Sequence, residues 1–290
     1  MSALPEVNVT EPAVTTEGTE PLSRAVQLSV VIPARDESEN IGKTLDELTS
    51  RLDREPLSYE LIVVDDGSRD DTADVVRRRH HGSIRLVVNN GPHGFGRAVR
   101  LGLESFSGQA VAIVMADGSD DPDDLVRYYE VLRDRAECAF GSRFVPGSRV
   151  RGYPRLKLLL NRAANLFIRV LFRLPYNDTT NAFKAYRASV IKGCRPFLSP
   201  HYNLTVELPL KAVVRGYSFE VIPIGWRERR QGQSGLHLRE MGSRYLFIVL
   251  YLWLEKMLTR GDYRRPAGDT FERWDGPDET SPPRNLDGVT

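Results

Sequence analysis

Five short apolar segments constrain the fold of this chain most strongly. Each is followed by a polar or glycine-rich loop and then by residues with helical spacing. They are Leu28–Pro33, Tyr59–Val64, Ile84–Val88, Val111–Met115 and Cys138–Phe140. Their lengths and their β-branched residues predict strands. Because strand and helix alternate, we predict an α/β fold with a Rossmann-like, mostly parallel central sheet and helices on both faces. Ligands of such sheets bind at the carboxyl ends of the strands.

The loop after the fourth predicted strand is strongly acidic, and Pro122 within it is suited to open a helix. Its carboxylates are Asp117, Asp120, Asp121, Asp123 and Asp124. Carboxylate oxygens in this position suit a divalent cation that holds a phosphorylated ligand. A solvated start of a surface helix has the same composition, because carboxylates are favourable there. This stretch alone leaves both interpretations open.

Charge is distributed unevenly along the 290 residues, although the formal net charge is only +1. Residues 1–140 carry a net charge of −11, whereas residues 141–265 carry +16. This asymmetry fits a metal and nucleotide site beside a surface for anionic groups, and unevenly placed surface charge is the alternative. We expect no nucleic-acid partner, because the basic half has no recognised motif and the other half is acidic.

The two ends of the chain have the composition of disordered segments, so we expect disorder over residues 1–25 and 261–290. Residues 26–260 are then predicted to form one domain. The N-terminus lacks the basic and apolar regions of a signal peptide. The only cysteines, Cys138 and Cys194, lie in no motif, so we expect a reducing cytoplasm and no disulfide framework.

Two C-terminal segments, Leu156–Leu174 and Tyr245–Leu258, predict apolar-faced, amphipathic helices. The uncharged part of the second is far shorter than the ~20 residues that cross a membrane. Arg169 would lie inside any span built on the first. Flanking basic residues favour helices that lie in a membrane interface, while packing in the core or in an oligomer remains the alternative.

Seven motifs in fixed order carry a resemblance that covers about residues 28–258. They are VVIPARDESENI at 30–41, LIVVDDGSRDDT at 61–72, GFGRAVRLGL at 94–103, VMADGSDDPDDL at 114–125, GSRF at 141–144, DTTNAFKAYR at 178–187 and PIGWRERRQGQS at 223–234. Together they resemble family 2 glycosyltransferases of the GT-A fold, and within them the polyprenol-phosphate sugar synthases similar to dolichol-phosphate mannose synthase. The resemblance implies a nucleotide-sugar-binding half over 26–140 and an acceptor- and membrane-facing half over 141–260.

The donor site implied by the resemblance is a nucleotide diphosphate sugar pocket. Its residues would be Pro33, Ala34, Arg35, Glu37, Asp65, Asp66, Gly94, Gly96 and Asp117. Asp65 and Asp66 would accept hydrogen bonds from the base or ribose, unless they merely cap the next helix. Gly94 and Gly96 would let the backbone approach the ligand closely.

The family also implies Mg²⁺ or Mn²⁺ as cofactor, because a cation offsets charge on the leaving diphosphate. Asp117 matches the second carboxylate of the family's Asp-x-Asp motif, while Met115 stands at the first position and cannot bind a hard cation. Ser119 occupies a further position that family members use for metal. We therefore assign the metal to Asp117, with Ser119, Asp120 and Asp121 as further candidates.

A lipid monophosphate is already an anionic nucleophile at neutral pH, so it needs positioning and charge neutralisation rather than a strong base. The predicted catalytic residues are Asp117, Arg143, Arg227 and Arg229. The predicted acceptor or phosphate residues are Asp178, Asn181, Arg230 and Ser234. Guanidinium groups suit this task because they bind phosphate through paired hydrogen bonds. Glu207 is a further candidate, with a structural helix position as the alternative.

The resemblance implies an inverting enzyme that transfers a hexose from a nucleotide diphosphate sugar to a polyprenyl phosphate, peripherally bound at the cytoplasmic membrane face. A soluble or glycan acceptor is one alternative. A catalytically weak nucleotide-sugar-binding protein is another, because Met115 and Gly235 replace an aspartate and a lysine of the family. A homo-oligomer or a membrane partner stays open.

Overall fold

The computed structural model describes residues 25–227 and 238–265, together with Phe271, Arg273 and Trp274, and for 238–241 the backbone alone. The strands in these ranges are β1 Leu28–Ala34, β2 Tyr59–Asp65, β3 Ile84–Val88, β4 Ala110–Ile113, β5 Cys138–Ser142, β6 Arg149–Arg151, β7 Lys184–Arg187, β8 Phe219–Pro223 and β9 Gly225–Arg227. The helices are α1 Ile41–Leu52, α2 Thr72–Arg77, α3 Phe95–Ser105, α4 Pro122–Asp134, α5 Arg155–Phe172, α6 Ala188–Cys194, α7 Leu204–Val214 and α8 Leu238–Leu258.

Seven of these strands form one central sheet in the order β3-β2-β1-β4-β7-β5-β8. All neighbouring strands are parallel except β7, which runs antiparallel to both β4 and β5. The strands β6 and β9 form a separate parallel pair. The predicted α/β fold with a mostly parallel sheet is confirmed.

Helices cover both faces of the sheet, which explains why its strands are continuous apolar segments rather than alternating ones. On one face α1 and α4 pack through Leu45 and Leu132 against alternate strand residues such as Val30. On the other face α3 and α7 pack through Leu103 and Leu208 against residues that point the other way. Both layers of core hold the carboxyl ends of β1, β2 and β4 in fixed positions.

A third cluster joins α5, α7 and α8 away from the sheet. Its buried residues include Ile168, Phe172, Val206, Leu210, Ile248, Val249 and Leu252. The outer sides of α5 and α8 remain apolar and exposed, and we call them the apolar face. The face comprises Leu156, Leu159, Leu160, Leu166, Phe167, Val170, Leu246, Phe247, Leu250, Tyr251, Leu254, Met257 and Leu258. Over the ranges that the structure describes, no helix combines the length and the apolar character needed to cross a membrane.

Several element boundaries differ from the sequence predictions. Strand β1 continues to Ala34, and β4 ends at Ile113 rather than at Met115. The backbone N–H of Met115 donates to the carboxylate of Asp120 at 2.9 Å, which folds the loop back and ends the pairing. The elements β6, β9 and α6 were not predicted, because three-residue strands and a seven-residue helix leave little periodic signal.

Helix α7 runs without a break from Leu204 to Val214 although Pro209 lies inside it. Proline lacks the N–H that would donate to the carbonyl four residues earlier, which belongs to Thr205. The buried ammonium of Lys184 donates to that carbonyl at 3.3 Å. A side chain from a neighbouring strand thus supplies the donor that the helix backbone lacks.

Part of the C-terminal segment packs on the domain, whereas the sequence predicted disorder from residue 261. The backbone N–H of Trp274 donates to the carbonyl of Arg133 at 3.2 Å. The guanidinium of Arg187 lies between the rings of Phe271 and Trp274, at 4.3 and 4.4 Å from their centroids. The rest of that predicted tail from residue 275, and the predicted disordered N-terminal segment up to residue 24, lie outside the described residues.

Candidate active site

The loops that follow β1, β2 and β4 meet at one edge of the sheet. Ala34 at the end of β1 pairs with Asp65 at the end of β2. The parallel pairing of β4 with β1 places the acidic loop after Ile113 at the same edge. The predicted donor and metal residues of these three loops are therefore neighbours in space, as their positions after the strands indicated.

Asp65 and Asp66 are both buried but have different surroundings. One oxygen of Asp65 accepts hydrogen bonds from the backbone N–H and the hydroxyl of Ser68. Asp66 accepts from the side-chain amide of Asn89 at 2.6 Å and from the backbone N–H of Gly94 at 2.7 Å. Neither carboxylate caps α2, so the capping alternative is not realised. Asp66 organises the glycine-rich loop, and Asp65 keeps one oxygen without a hydrogen bond among the described residues.

Gly94 and Gly96 allow the backbone of residues 199–201 to pack closely against them, because neither has a side chain. A Cβ on Gly96 would lie 2.4 Å from the carbonyl oxygen of Ser199, and one on Gly94 would lie 2.5 Å from that of Pro200. The segment before α7 fills the space beside both glycines, and the approach of their backbone to a ligand stays a prediction. Gly94 still touches the site through its N–H to Asp66.

We expect Gly96→Ala to lower the free energy of unfolding by about 1–3 kcal/mol, because backbone must shift to admit the methyl group. Gly82→Ala is the matched control, since a Cβ there meets nothing within 4 Å. Urea unfolding of both variants measures the difference. Equal stability of the two variants would contradict the close packing of the 199–201 segment on α3.

The loop after β1 is tied to the loop after β2. The carboxylate of Asp36 accepts the backbone N–H of Arg69 at 2.7 Å, and that of Asp70 accepts the N–H of Ser38 at 3.0 Å. Pro33 and Ala34 are buried within β1, while Arg35 is exposed at the edge. Glu37 is buried, and its backbone N–H donates to Thr72 at 2.9 Å. These cross-links give the predicted nucleotide corner a rigid outline.

The acidic loop presents its carboxylates in three different ways. Asp117 is half-buried, and its carboxylate accepts the backbone N–H of Ser119 at 3.1 Å. Asp120 points inward. Burial raises the pKa of its carboxyl to about 7, although the hydrogen bond from Met115 acts to lower it. Asp121 caps α4 by accepting the N–H of Asp123 at 3.0 Å. The helix-start interpretation thus applies to Asp121, while the metal interpretation of the other carboxylates stays a prediction.

This distribution limits what the loop offers a cation. Among the described residues, no three His, Cys, Asp or Glu side chains are grouped as a metal site. Asp117 and the neighbouring Ser119 fit a cation that takes most of its oxygens from a diphosphate and water, as Mg²⁺ commonly does. Asp120 is buried, and Asp121 caps α4 and pairs with Arg149 at 3.2 Å, so these two carboxylates contribute only if the loop rearranges.

Arg143 and Asp178 form a buried ion pair. The guanidinium of Arg143 donates through two nitrogens to the carboxylate of Asp178, at 2.8 and 2.7 Å, and the backbone N–H of Arg143 donates at 2.9 Å. Burial opposes the charged guanidinium, but Asp178 outweighs it and raises the pKa of Arg143 above its ordinary value. The guanidinium also lies 5.4 Å from the rings of Phe144 and Tyr153.

Asn181 and Lys184 complete the interior behind this pair. The amide of Asn181 donates to the carbonyls of Gly141 and Phe183, so it supports the end of β5. The ammonium of Lys184 donates to the carbonyls of Thr179 and Asn181, and burial lowers its pKa to about 7. Sequence reasoning missed Lys184, and its only signal was a lysine within an apolar extended segment.

The chain at β9 lies directly against the acidic loop. Trp226 forms an isolated β-bridge with Asp120, and the backbone N–H of Arg227 donates to the carbonyl of Ser119 at 3.3 Å. Asp124, one of the carboxylates that the sequence placed in the acidic loop, is fully buried and accepts the N–H of Gly225 at 2.5 Å. Arg227 is thereby placed beside the predicted metal loop. The predicted Arg229, Arg230 and Ser234 lie outside the described residues.

Glu207 occupies a structural position. Its two carboxylate oxygens accept the backbone N–H groups of Leu198 and Ser199, each at 2.7 Å. The ammonium of Lys211 pairs with it at 2.7 Å, and both side chains are buried. Glu207 therefore fixes the segment that packs over Gly94 and Gly96.

Comparison with known proteins gives the same assignment as the motifs. Glycosyl transferase family 2 matches residues 29–194. The polyprenol monophosphomannose synthase of Mycolicibacterium smegmatis is 32% identical over 222 residues, which are 73% of this chain and 82% of that protein. The undecaprenyl-phosphate mannosyltransferase of Micrococcus luteus is 31% identical over 218 residues, 72% of this chain and 87% of that protein.

Solved structures share the fold. Glucosyl-3-phosphoglycerate synthase from Mycobacterium tuberculosis, in complex with Mn²⁺, uridine-diphosphate and phosphoglyceric acid, superposes with a TM-score of 0.61 at 22% identity, covering 80% of this chain and 78% of that one. Its complex with Mg²⁺ and uridine-diphosphate gives 0.60 at 21% identity, covering 80% and 79%. These likenesses establish the GT-A fold. By fold, motif order and relatives, the chain belongs to glycosyl transferase family 2 and is a nucleotide-sugar-dependent glycosyltransferase.

Proposed function

We propose that this glycosyltransferase transfers a hexose from a nucleotide diphosphate sugar to a polyprenyl phosphate at a membrane surface, with inversion at the anomeric carbon. The apolar face of α5 and α8 carries the proposal, because an acceptor with a long apolar chain requires such a surface. The two relatives at 31–32% identity have names that specify polyprenyl carriers, which supports the same acceptor class.

The donor would bind across the ends of β1, β2 and β4, in the half of the chain over residues 26–140. The oxygen of Asp65 that makes no hydrogen bond among the described residues would accept one from the base or ribose. Asp117 would hold Mg²⁺ or Mn²⁺, which when bound offsets charge on the leaving diphosphate. The Mn²⁺ and Mg²⁺ complexes of the structural neighbour with uridine-diphosphate support this cofactor.

The acceptor phosphate would approach from the basic half over residues 141–260. One of its oxygens forms the bond to the anomeric carbon while the bond to the diphosphate breaks, and the bonding electrons leave with the diphosphate. Arg227, whose backbone N–H donates to Ser119, would neutralise phosphate charge there. Arg143 is committed to Asp178 by two nitrogens, so it would act at the site with its orientation fixed by that carboxylate.

The apolar face would rest on the membrane. Its leucines and aromatic residues lie on two helices that also carry basic residues such as Arg155, Lys157 and Arg162. An apolar side flanked by cations is the composition of helices that lie in the interface of an anionic membrane. An oligomer contact would cover the same surface.

The test is sugar transfer from a panel of nucleotide diphosphate sugars with Mn²⁺, to polyprenyl phosphate in vesicles or to a soluble phosphate. We expect turnover with the lipid and one donor. Leu159→Ser with Val170→Ser, on the apolar face, should slow lipid transfer at least about 100-fold at limiting vesicle concentration through lost membrane binding, since each buried side chain contributes about 1.5–3 kcal/mol. Transfer to no lipid phosphate across the panel would overturn the proposal.

A catalytically weak nucleotide-sugar-binding protein is the second candidate. The observation that favours it is the inward orientation of Asp120 together with Met115, which leaves Asp117 as the protein carboxylate best placed for a cation. Tight nucleotide binding without turnover, unrestored by Met115→Asp, would support it. Turnover with any donor excludes it.

A further inference from the structure

Three aromatic side chains form a cluster beside the acidic loop, and we call them the aromatic cluster. Phe144 lies just after β5, Tyr153 just after β6, and Trp226 within β9. The ring centroids of Phe144 and Tyr153 are 6.4 Å apart, and those of Tyr153 and Trp226 are 4.9 Å apart. All three residues are only partly buried. None of them belongs to the three hydrophobic clusters that the described residues form.

The aromatic cluster lies between the acidic loop and α5. On one side, the backbone of Trp226 is bridged to Asp120 in the acidic loop. On the other side, the guanidinium of Arg162 in α5 lies 4.7 Å from the centroid of the Phe144 ring. Leu166, one turn further along α5, belongs to the exposed apolar face. The rings therefore lie between the predicted metal loop and the helix that carries part of the apolar face.

Support of the buried ion pair explains only part of this cluster. Phe144 and Tyr153 flank the guanidinium of Arg143, each at 5.4 Å, and Asp178 already fixes that guanidinium through two of its nitrogens. Trp226 packs on Tyr153 and adds a third ring with exposed surface. Apolar surface exposed beside a site is characteristic of a ligand contact. The cluster thus offers apolar area that a bound ligand can cover.

The charges around the rings restrict the class of ligand. Guanidinium groups of Arg143 and Arg162 lie over Phe144, and Arg227 follows Trp226 in β9. Apolar ring surface beside cations suits a ligand that joins an apolar group to an anion. A polyprenyl phosphate has this order, because its first isoprene unit is bonded directly to the phosphate. Sugar hydroxyls would instead need hydrogen-bond acceptors, and guanidinium groups have none.

We propose that the aromatic cluster binds the isoprene units next to the acceptor phosphate and thereby selects acceptors with an apolar group at that position. This inference rests on the polyprenyl phosphate acceptor of the proposed function and adds a specificity site to it. The apolar face would contact the membrane, whereas the aromatic cluster would contact the acceptor itself. The preference for isoprene units should therefore persist when no membrane is present.

The experiment compares transfer to geranyl phosphate with transfer to the phosphate of a diether alcohol of the same main-chain length. Both acceptors carry the same phosphate, but only geranyl phosphate presents isoprene units. The assay contains Mn²⁺ and the donor that supports lipid transfer, without vesicles and below the concentration at which geranyl phosphate forms micelles. We expect kcat/KM to be about tenfold higher for geranyl phosphate, the size given by removing about two CH₂ groups from water.

Removal of the rings should remove this preference. Tyr153→Ala with Trp226→Ala should lower the ratio of the two kcat/KM values to about one, whereas Tyr153→Phe should keep it because the ring remains. A loss of folded enzyme cancels in this ratio, since both acceptors are measured with the same protein. Tyr263→Ala is the matched control, because that ring is 59% exposed and lies over Arg215 outside the cluster. The ratio should not change in this variant.

Equal kcat/KM values for the two acceptors with the unaltered protein would overturn this inference, while transfer to polyprenyl phosphate would leave the proposed function standing. Transfer to the lipid but to neither soluble acceptor would overturn it too, because isoprene units would then give no recognition without a membrane. A preference retained by the double variant, or by Trp226→Ala with Tyr153→Ala tested singly, would assign the selectivity to another surface. Transfer to no phosphate at all would instead contradict the proposed function.

Discussion

Replacing Asp178 with asparagine is expected to lower the free energy of unfolding by about 3–5 kcal/mol, because it leaves the buried guanidinium of Arg143 without a counter-charge. The carboxylate of Asp178 is fully buried, and it accepts three hydrogen bonds from Arg143. Transfer activity should fall to background at the same time, since the guanidinium loses the partner that orients it. Urea unfolding measures the loss of stability. Transfer assays at a temperature where the variant is folded measure the loss of activity.

A double replacement separates stability from function at this pair. Arg143→Met with Asp178→Leu removes both charges, and apolar replacement of a whole buried pair is often neutral in stability. We expect stability to return to within about 1 kcal/mol of the unaltered protein while activity stays absent. Recovery of activity in the double variant would contradict a role of Arg143 at the site. A stable Asp178→Asn variant would contradict the burial of the pair.

Replacing Asp117 with asparagine is expected to lower the transfer rate about 10²–10³-fold, because it removes the carboxylate that would hold the cation, and the cation is what offsets developing charge on the diphosphate. Stability should change by less than about 0.5 kcal/mol, since Asp117 is half-buried and an asparagine oxygen can still accept the N–H of Ser119. The measurement is the transfer rate against Mn²⁺ concentration. The concentration needed for half-maximal rate should rise as well.

Asp123→Asn is the matched control for this change. Asp123 lies in the same acidic stretch, but its side chain is 64% exposed and pairs with Arg51 on α1. Loss of an exposed ion pair costs about 0–1 kcal/mol, and we expect the transfer rate and its Mn²⁺ dependence to stay unchanged. Equal rates of the Asp117 and Asp123 variants would show that the cation, if it acts, is held elsewhere.

The sequence predicted the part of the fold that depends on local periodicity. The strands β1 to β5 and the order of loops at their carboxyl ends follow from apolar segments and from the rule for parallel sheets. The meeting of Asp65 and Asp117 at one edge was therefore predictable without any side-chain information. The family assignment rested on motif order and is confirmed.

The orientation of individual side chains could not be predicted in the same way. Whether Asp120 faces solvent or the interior depends on its hydrogen bond to Met115, which forms only when the loop folds back. Asp178, which pairs with Arg143, lies 35 residues further along the chain, and Ser199, which packs on Gly96, lies about a hundred residues after it. Such pairings are set by tertiary packing, so the sequence identified the residue types at the site but not their hydrogen-bond partners.

The antiparallel direction of β7 determines whether this protein can be cut into fragments that fold on their own. Lys184, at the start of β7, pairs with Ile113 at the end of β4 and with Phe140 in β5. Residues 178–183 therefore enter the sheet at the edge where its parallel neighbours leave, which is how Asp178 reaches Arg143. A fragment that stopped at residue 140 would leave β4 with an unpaired edge, and unpaired edges recruit other chains. Residues 26–140 and 141–260, the proposed donor and acceptor halves, are therefore expected to form a single cooperative unit, and exchanging one of them between homologues requires keeping β7 with both.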